Sequence, residues 1–160
     1  MFRFYAGERK IEMEADFASV WSRVTGLDPA EDELTMLRRW IRDETETMRS
    51  YEGLLRSRLP NMAAETLRSL LREQRGLLRR LQTLYYLRTG DALIVPQPET
   101  QKKQPLMKAL RERYEAALSQ AAGYRRATTV RRDTAELCIK LAEAKDAQAD
   151  GLYLLTERLL

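Results

Sequence analysis

The chain has 160 residues, of which 44% are hydrophobic and 32% are charged, and its formal net charge is +4. This composition excludes a disordered or fibrous chain and predicts a globular domain with a substantial core. The positive excess is too small to require an anionic partner. No stretch approaches the ~18 apolar residues of a membrane span, and the first residues lack the apolar run of a signal peptide. We therefore expect a cytoplasmic protein without a membrane partner.

The single cysteine, Cys138, excludes an intramolecular disulfide and fits a reducing compartment. It lies between Leu137 and Ile139, so we expect a small buried thiol. No neighbouring sequence feature predicts a reactive cysteine.

Residues 1–29 are predicted to be an N-terminal lead with a short helix, and residues 30–160 to be the main domain. The short helix covers about 11–25, because apolar side chains recur there at i, i+3, i+4 and i+7. These side chains are Phe17, Val20, Trp21 and Val24. Gly26 ends this helix, and Asp28-Pro29 predicts the N-cap and first residue of the next one.

Four longer helices are predicted in the main domain, the first three separated by proline and glycine residues and the last two by a short link, which could also be a kink, after about residue 128. Their approximate ranges are 29–58, 61–89, 105–128 and 131–159, and the second ends at Gly90. The one long connection, Asp91–Gln104, lies between the second and third helices. Two helical hairpins joined by one long crossover are the ferritin-like variant of the four-helix bundle. The expected fold class is all-α, a ferritin-like four-helix bundle with a short extra N-terminal helix.

Three acidic residues fall in register with the apolar stripes of three helices. Glu44 follows Ile41 by one helical turn, Glu73 follows Leu70 in the same way, and Asp146 falls in a stripe with Ile139. A carboxylate that points into a core is costly unless it is paired, hydrogen-bonded, neutralised or bound to a metal. Glu44, Glu73 and Asp146 are therefore the predicted remnants of a metal site.

The missing residue type is histidine, of which the chain has none. A carboxylate-bridged di-metal centre takes both of its histidine ligands from two Glu-x-x-His pairs. The positions that would complete such pairs with Glu73 and Asp146 hold Gly76 and Ala149. We therefore expect no cofactor and no catalytic residue. An alternative is a single divalent cation (Fe, Mn or Mg) held by the three carboxylates and water.

Without a metal, the three carboxylates need other partners. The candidates in the sequence are Tyr51, Tyr124, Arg75 and Arg113.

The pattern resembles the ferritin-like superfamily and, within it, the rubrerythrin-type proteins of bacteria. Four stretches carry the resemblance: Asp43-Glu44 with Tyr51, Arg72–Gly76, Leu81–Gly90 and Lys145–Tyr153. In that family, carboxylates and two histidines bind two irons. The resemblance assigns the ligand positions to Glu44, Glu73, Gly76, Ala117, Asp146 and Ala149. Only three of these residues can coordinate a metal, so the resemblance implies the fold without the activity.

Three functions follow from these patterns. The favoured hypothesis is a non-catalytic bundle with a structural or interaction role, forming a homodimer. The first alternative is an atypical metal-binding protein or iron/peroxide oxidoreductase that uses the residual carboxylates. The second is binding of nucleic acid or another polyanion through an arginine stripe, although such a stripe is usually a solvated face. The stripe consists of Arg68, Arg72, Arg75 and Arg79.

Aromatic residues are the expected contacts in a homodimer, although each is more typical of a core. The residues considered are Trp21, Trp40, Tyr85 and Tyr86.

Overall fold

The computed structural model describes residues 32–99, 103–130 and 134–160. Within these ranges the backbone forms four α-helices and no strand, which confirms the all-α prediction for this part of the chain. Helix α1 is Glu33–Leu55, α2 is Asn61–Thr89, α3 is Leu106–Val130 and α4 is Ala135–Leu159. The predicted lead over 1–29 and its short helix lie outside the described residues.

Capping residues determine where the helices begin and end. Asp32 has an extended backbone, and its carboxylate accepts a hydrogen bond of 2.7 Å from the backbone N–H of Thr35. This hydrogen bond lowers the pKa of Asp32 and makes it the N-cap, so α1 begins later than the sequence pattern predicts. At the end of α2, Gly90 has a φ of 77° and donates its N–H to the carbonyl of Tyr86, as a terminal glycine is expected to do.

The helices pack as two hairpins, α1 with α2 and α3 with α4, which meet mainly through α2 and α4. Gly151 allows this approach, because a Cβ at that position would lie only 3.2 Å from the Cδ2 atom of Leu70. The crossover between the hairpins lies against α1. There the guanidinium of Arg49 donates to the carbonyl oxygens of Val95 and Pro96, at 2.6 Å and 2.7 Å.

Two apolar clusters fill the space between the hairpins. The first contains Leu37, Trp40, Leu81 and Cys138, and the second is built around Tyr51. The other large members of the second cluster are Leu67, Leu70, Leu71, Leu110, Leu152 and Leu155. Along α1, α2 and α4, buried polar residues separate one cluster from the other. The core is therefore two apolar halves with a polar layer between them.

Side chains that were predicted to be buried or to be contact residues lie in both buried and exposed positions. The thiol of Cys138 is buried, as predicted. Trp40 and Tyr85 belong to the core, whereas Tyr86 is 56% exposed at the end of α2. Trp21 lies outside the described residues. Among the helices that the structure describes, none is long and apolar enough to cross a membrane.

Candidate functional site

Glu44 lies at the centre of the bundle with a fully buried side chain. Its Oε1 atom accepts a hydrogen bond of 2.6 Å from the Tyr124 hydroxyl. Its Oε2 atom accepts one of 2.6 Å from the amide of Gln74 and lies 2.5 Å from the ammonium of Lys145. Three other helices thus each supply a donor to this carboxylate on α1. Both of its oxygens are satisfied within the chain.

Lys145 is also fully buried, and its remaining protons bond to two glutamine side chains. The ammonium donates to Oε1 of Gln74 at 3.0 Å and to Oε1 of Gln148 at 3.3 Å. The Gln148 amide donates to Oε1 of Gln74 at 2.8 Å, and the hydroxyl of Tyr51 donates to Oε1 of Gln148 at 3.2 Å. The resulting network, here called the polar layer, consists of Glu44, Tyr51, Gln74, Tyr124, Lys145 and Gln148.

Helix geometry places these six side chains together. Lys145 and Gln148 are three residues apart on α4, so they lie on the same face one turn from each other. Glu44 and Tyr51 are two turns apart on the inner face of α1. Every member of the layer is at most 2% exposed, so its charges and dipoles interact without screening by water.

Burial shifts the pKa values of the ionisable partners. Loss of hydration lowers the pKa of Lys145, and the neighbouring Glu44 carboxylate acts against that shift. Loss of hydration also raises the pKa of both Tyr51 and Tyr124, with a further contribution from the negative charge of Glu44. The two phenols therefore stay protonated, and Tyr124 remains a hydrogen-bond donor to the carboxylate.

Only one of the three predicted carboxylates belongs to the polar layer. The predicted inward position of Glu44 is correct. Glu73 is exposed on the surface of α2, and Asp146 is half-buried and forms an ion pair with Arg125. The predicted inward positions of Glu73 and Asp146 are therefore wrong. Whether any of the three carboxylates binds a metal stays a prediction.

On α2, the inward position is one residue beyond the predicted one. Leu70 and Leu77 are buried, and both Glu73 and Gln74 are in register with them. Gln74 is also in register with a second set of buried leucines, which fixes the inner face. These are Leu67, Leu71, Leu78 and Leu81.

On α4, Ile139 was part of the predicted inner stripe but is 49% exposed. The inner face instead runs through Cys138, Leu141, Lys145 and Leu152. The spacing of Lys145 and Gln148 between buried leucines is a signal that the sequence contains. It is easily missed, because lysine and glutamine are usually on the surface.

Of the partners predicted for the carboxylates, Tyr124 contacts Glu44, whereas the two arginines contact other residues. Tyr124 binds Glu44 as predicted. Arg75 pairs instead with Glu52 at 3.1 Å, and Arg113 lies 3.5 Å from the Thr47 hydroxyl. The partners that the sequence analysis did not anticipate are Gln74 and Lys145.

The donor set of the polar layer does not fit a metal ion. The described residues contain no group of three or more His, Cys, Asp and Glu side chains placed to hold one. Glu44 is the one carboxylate in the layer, and the ammonium 2.5 Å from it would repel a divalent cation. The other assigned ligand positions hold Ala117 and Ala149, which are buried, and Gly76, which is exposed.

Comparison with protein-family models, with curated proteins and with solved structures gave no significant match for this chain.

We predict that Lys145→Met lowers the free energy of unfolding by about 3–5 kcal/mol, because it leaves Glu44 as an uncompensated buried charge. The double variant Glu44→Gln/Lys145→Met is expected to be more stable than Lys145→Met, since it removes that charge. Urea unfolding followed by circular dichroism measures both. The control is Lys140→Met on the same helix, whose exposed ion pair with Glu136 contributes at most about 1 kcal/mol. Equal costs for the two single variants would contradict the prediction.

Alkaline pH is predicted to destabilise the fold through Tyr51 and Tyr124. Because their pKa values are raised above 10.0, the folded chain retains two protons that the unfolded chain releases. Stability should therefore fall as pH rises above 10.0, by about 1.4 kcal/mol per pH unit for each phenol. The pKa of Lys145 is lowered from 10.5, so this residue raises stability with increasing pH until pH 10.5 is reached. The slope due to the phenols is therefore measured above pH 10.5.

Urea unfolding at a series of alkaline pH values gives this slope. Tyr51→Phe and Tyr124→Phe should each make this slope shallower by about 1.4 kcal/mol per pH unit, because each removes one phenol proton from the balance. Tyr153→Phe, at an exposed position, is the control. An unchanged slope in both inner variants would contradict the assignment.

Proposed function

We propose that this chain is a ferritin-like, rubrerythrin-type bundle in which a buried ion pair has replaced the metal centre, and that its role is structural or interactive instead of catalytic. The observation that carries the proposal is the contact between Glu44 and Lys145 at the centre of the helices. A carboxylate and an ammonium neutralise each other there, and the two glutamines and two tyrosines complete their hydrogen bonds.

The spacing of the inner residues supports the ferritin-like part of the proposal. Proteins of that class bind metal through a glutamate on each of two helices and a Glu-x-x-His pair on each of the other two. In this chain, Lys145 and Gln148 have the spacing of such a pair on α4. Gln74 and the buried Leu77 have it on α2, while Glu44 is the glutamate of α1. Of these residues, Glu44, Gln74, Lys145 and Gln148 belong to the polar layer, so the likeness to a ligand set is one of spacing on three helices.

The electrostatics of the layer support a non-metal role. Carboxylate-rich centres hold divalent cations through their excess negative charge. The layer contains one carboxylate and one ammonium, so its net charge is zero when both are ionised. Lys145 therefore supplies the positive charge that a metal ion would otherwise bring. A redox centre built on Glu44, Glu73 and Asp146 has no corresponding support, because only Glu44 lies in the layer.

The homodimer part of the proposal rests on exposed apolar residues next to the crossover. Tyr86 and Leu87, at the end of α2, are 56% and 74% exposed, and Ile94 in the crossover is 86% exposed. The flanking Leu93 and Val95 pack against the core, so Ile94 is held facing outward. A contiguous exposed apolar patch marks an interaction surface, and we propose that these three residues form one. We place the contact between two copies of the chain at these three residues.

Metal content tests the central proposal. After dialysis against Fe²⁺, Mn²⁺ and Zn²⁺ in turn, the purified chain should hold less than about 0.1 metal per molecule by inductively coupled plasma mass spectrometry. Glu44→Ala and Glu73→Ala are analysed in parallel. A stoichiometric metal in the unmodified chain that disappears in either variant would refute the proposal and favour the metal-binding alternative.

Molar mass in solution tests the homodimer. Size-exclusion chromatography with light scattering should give the mass of two chains. Leu87→Glu/Ile94→Glu should give one chain, because two carboxylates would be buried in the contact. The control is Leu118→Glu/Leu154→Glu, which alters exposed leucines on α3 and α4. A single-chain mass for the unmodified protein at every concentration would contradict this part of the proposal.

A further inference from the structure

Helix α2 carries four exposed arginines that surround a depression in the surface. Arg68, Arg72, Arg75 and Arg79 follow one another at i, i+4, i+7 and i+11, so they form one continuous row. With Leu71 and Gly76 they line a depression of about 380 Å³. The row extends over about 16 Å of helix. These residues take no part in the polar layer.

Within the described residues, one of these four arginines forms an ion pair. Arg75 pairs with Glu52 at 3.1 Å. The other three arginines make no ion pair with any residue in the part of the chain that the structure describes. Three positive charges therefore remain within three helical turns.

Solvated helix faces normally relieve such repulsion with acidic residues one turn away, as Arg111–Glu115 and Lys140–Glu136 do elsewhere in this protein. Arg68 has Glu65 at i−3, but Arg72, Arg75 and Arg79 have no acidic residue at i±3 or i±4. Each of the four has another arginine at i−4 or i+4, which is unfavourable without an anion between them. The row therefore differs from the charged faces on α3 and α4.

Gly76 keeps the depression open. It lies in the interior of α2, where glycine is among the least favourable residues. A Cβ at this position would meet nothing within 4 Å, so helix packing does not require a glycine. Its backbone conformation does not require one either, because Gly90 is the glycine with positive φ among the described residues. The effect of Gly76 on this surface is to leave room between Arg72 and Arg79.

We propose that this depression binds a compact ligand carrying two or more phosphoryl groups. Guanidinium groups form paired hydrogen bonds with phosphate oxygens, and several of them in a row match a chain of linked phosphates. The volume lies within the range of small-molecule sites. Among the described residues, no aromatic side chain lines the depression, so these residues do not supply the stacking on which single-stranded nucleic acid binding depends. The site is independent of the role proposed for the polar layer.

Isothermal titration calorimetry of the full chain with tripolyphosphate tests the proposal. Arg72→Gln/Arg79→Gln should weaken binding by about tenfold or more, because it removes two charge-assisted contacts. Gly76→Leu should also weaken it, since it fills the depression without changing the charge. The control Arg58→Gln/Arg80→Gln removes the same charge from exposed positions outside the depression and should bind like the unmodified chain. Circular dichroism verifies that each variant is folded.

Three results would overturn the proposal. One is the absence of tripolyphosphate binding to the unmodified chain. Another is an equal loss in the control variant, which would indicate a non-specific attraction by net charge. The third is tighter binding of a single-stranded oligonucleotide than of tripolyphosphate at the same salt concentration, which would identify the partner as a nucleic acid.

Discussion

The contact between Glu44 and Lys145 is the interaction on which the rest of the bundle depends. Removing two charges from water is costly, and their mutual attraction offsets that cost only when the remaining hydrogen-bonding atoms are also satisfied. In this protein the hydrogen bonds to the two charged groups come from Gln74, Gln148 and Tyr124, which are on three different helices. All four helices must therefore be in place before the pair is stable. A local contact thus makes the whole arrangement cooperative.

The polar layer also supplies specificity that the leucine clusters on either side do not. Leucine side chains on facing helices can interdigitate in more than one alignment at similar energy. A shift of one helix by a turn would bring other leucines together, but it would separate Lys145 from Glu44 and strand both charges. Buried polar groups of this kind are known to fix register in helical assemblies. We infer that this layer likewise fixes the register of the helices. The two apolar halves contribute the stability of the core.

Sequence patterns predict the helices of this chain well but locate only part of its centre. Proline and glycine positions predicted the boundaries between the first three helices, and Gly90 behaves as a terminal glycine should. Glu44 was recognised because an acidic residue within an apolar stripe is unusual. Gln74 and Lys145 were not, since two adjacent helix positions can both fit a sparse stripe, and a lysine is assigned to solvent by its type. Its counter-ion lies on another helix, so only the fold brings the two together.

The start of α1 is a second feature that the sequence pattern locates only approximately. Asp28 and Asp32 are both suitable capping residues in sequence terms. The structure gives the capping hydrogen bond to Asp32, through the N–H of Thr35. The sequence pattern placed the boundary at Asp28, because local rules do not distinguish it from a capping residue four positions later.

The attachment of the crossover has a consequence for how two copies could associate. Arg49 binds the carbonyl oxygens of Val95 and Pro96 within one chain, so this segment is fastened to its own hairpin. Exchange of hairpins between copies would therefore need a hinge beyond Pro96, and it would require the core to open. Association through Ile94 and its neighbours needs neither. A pair formed in that way would separate on simple dilution and re-form quickly, without passing through an unfolded chain.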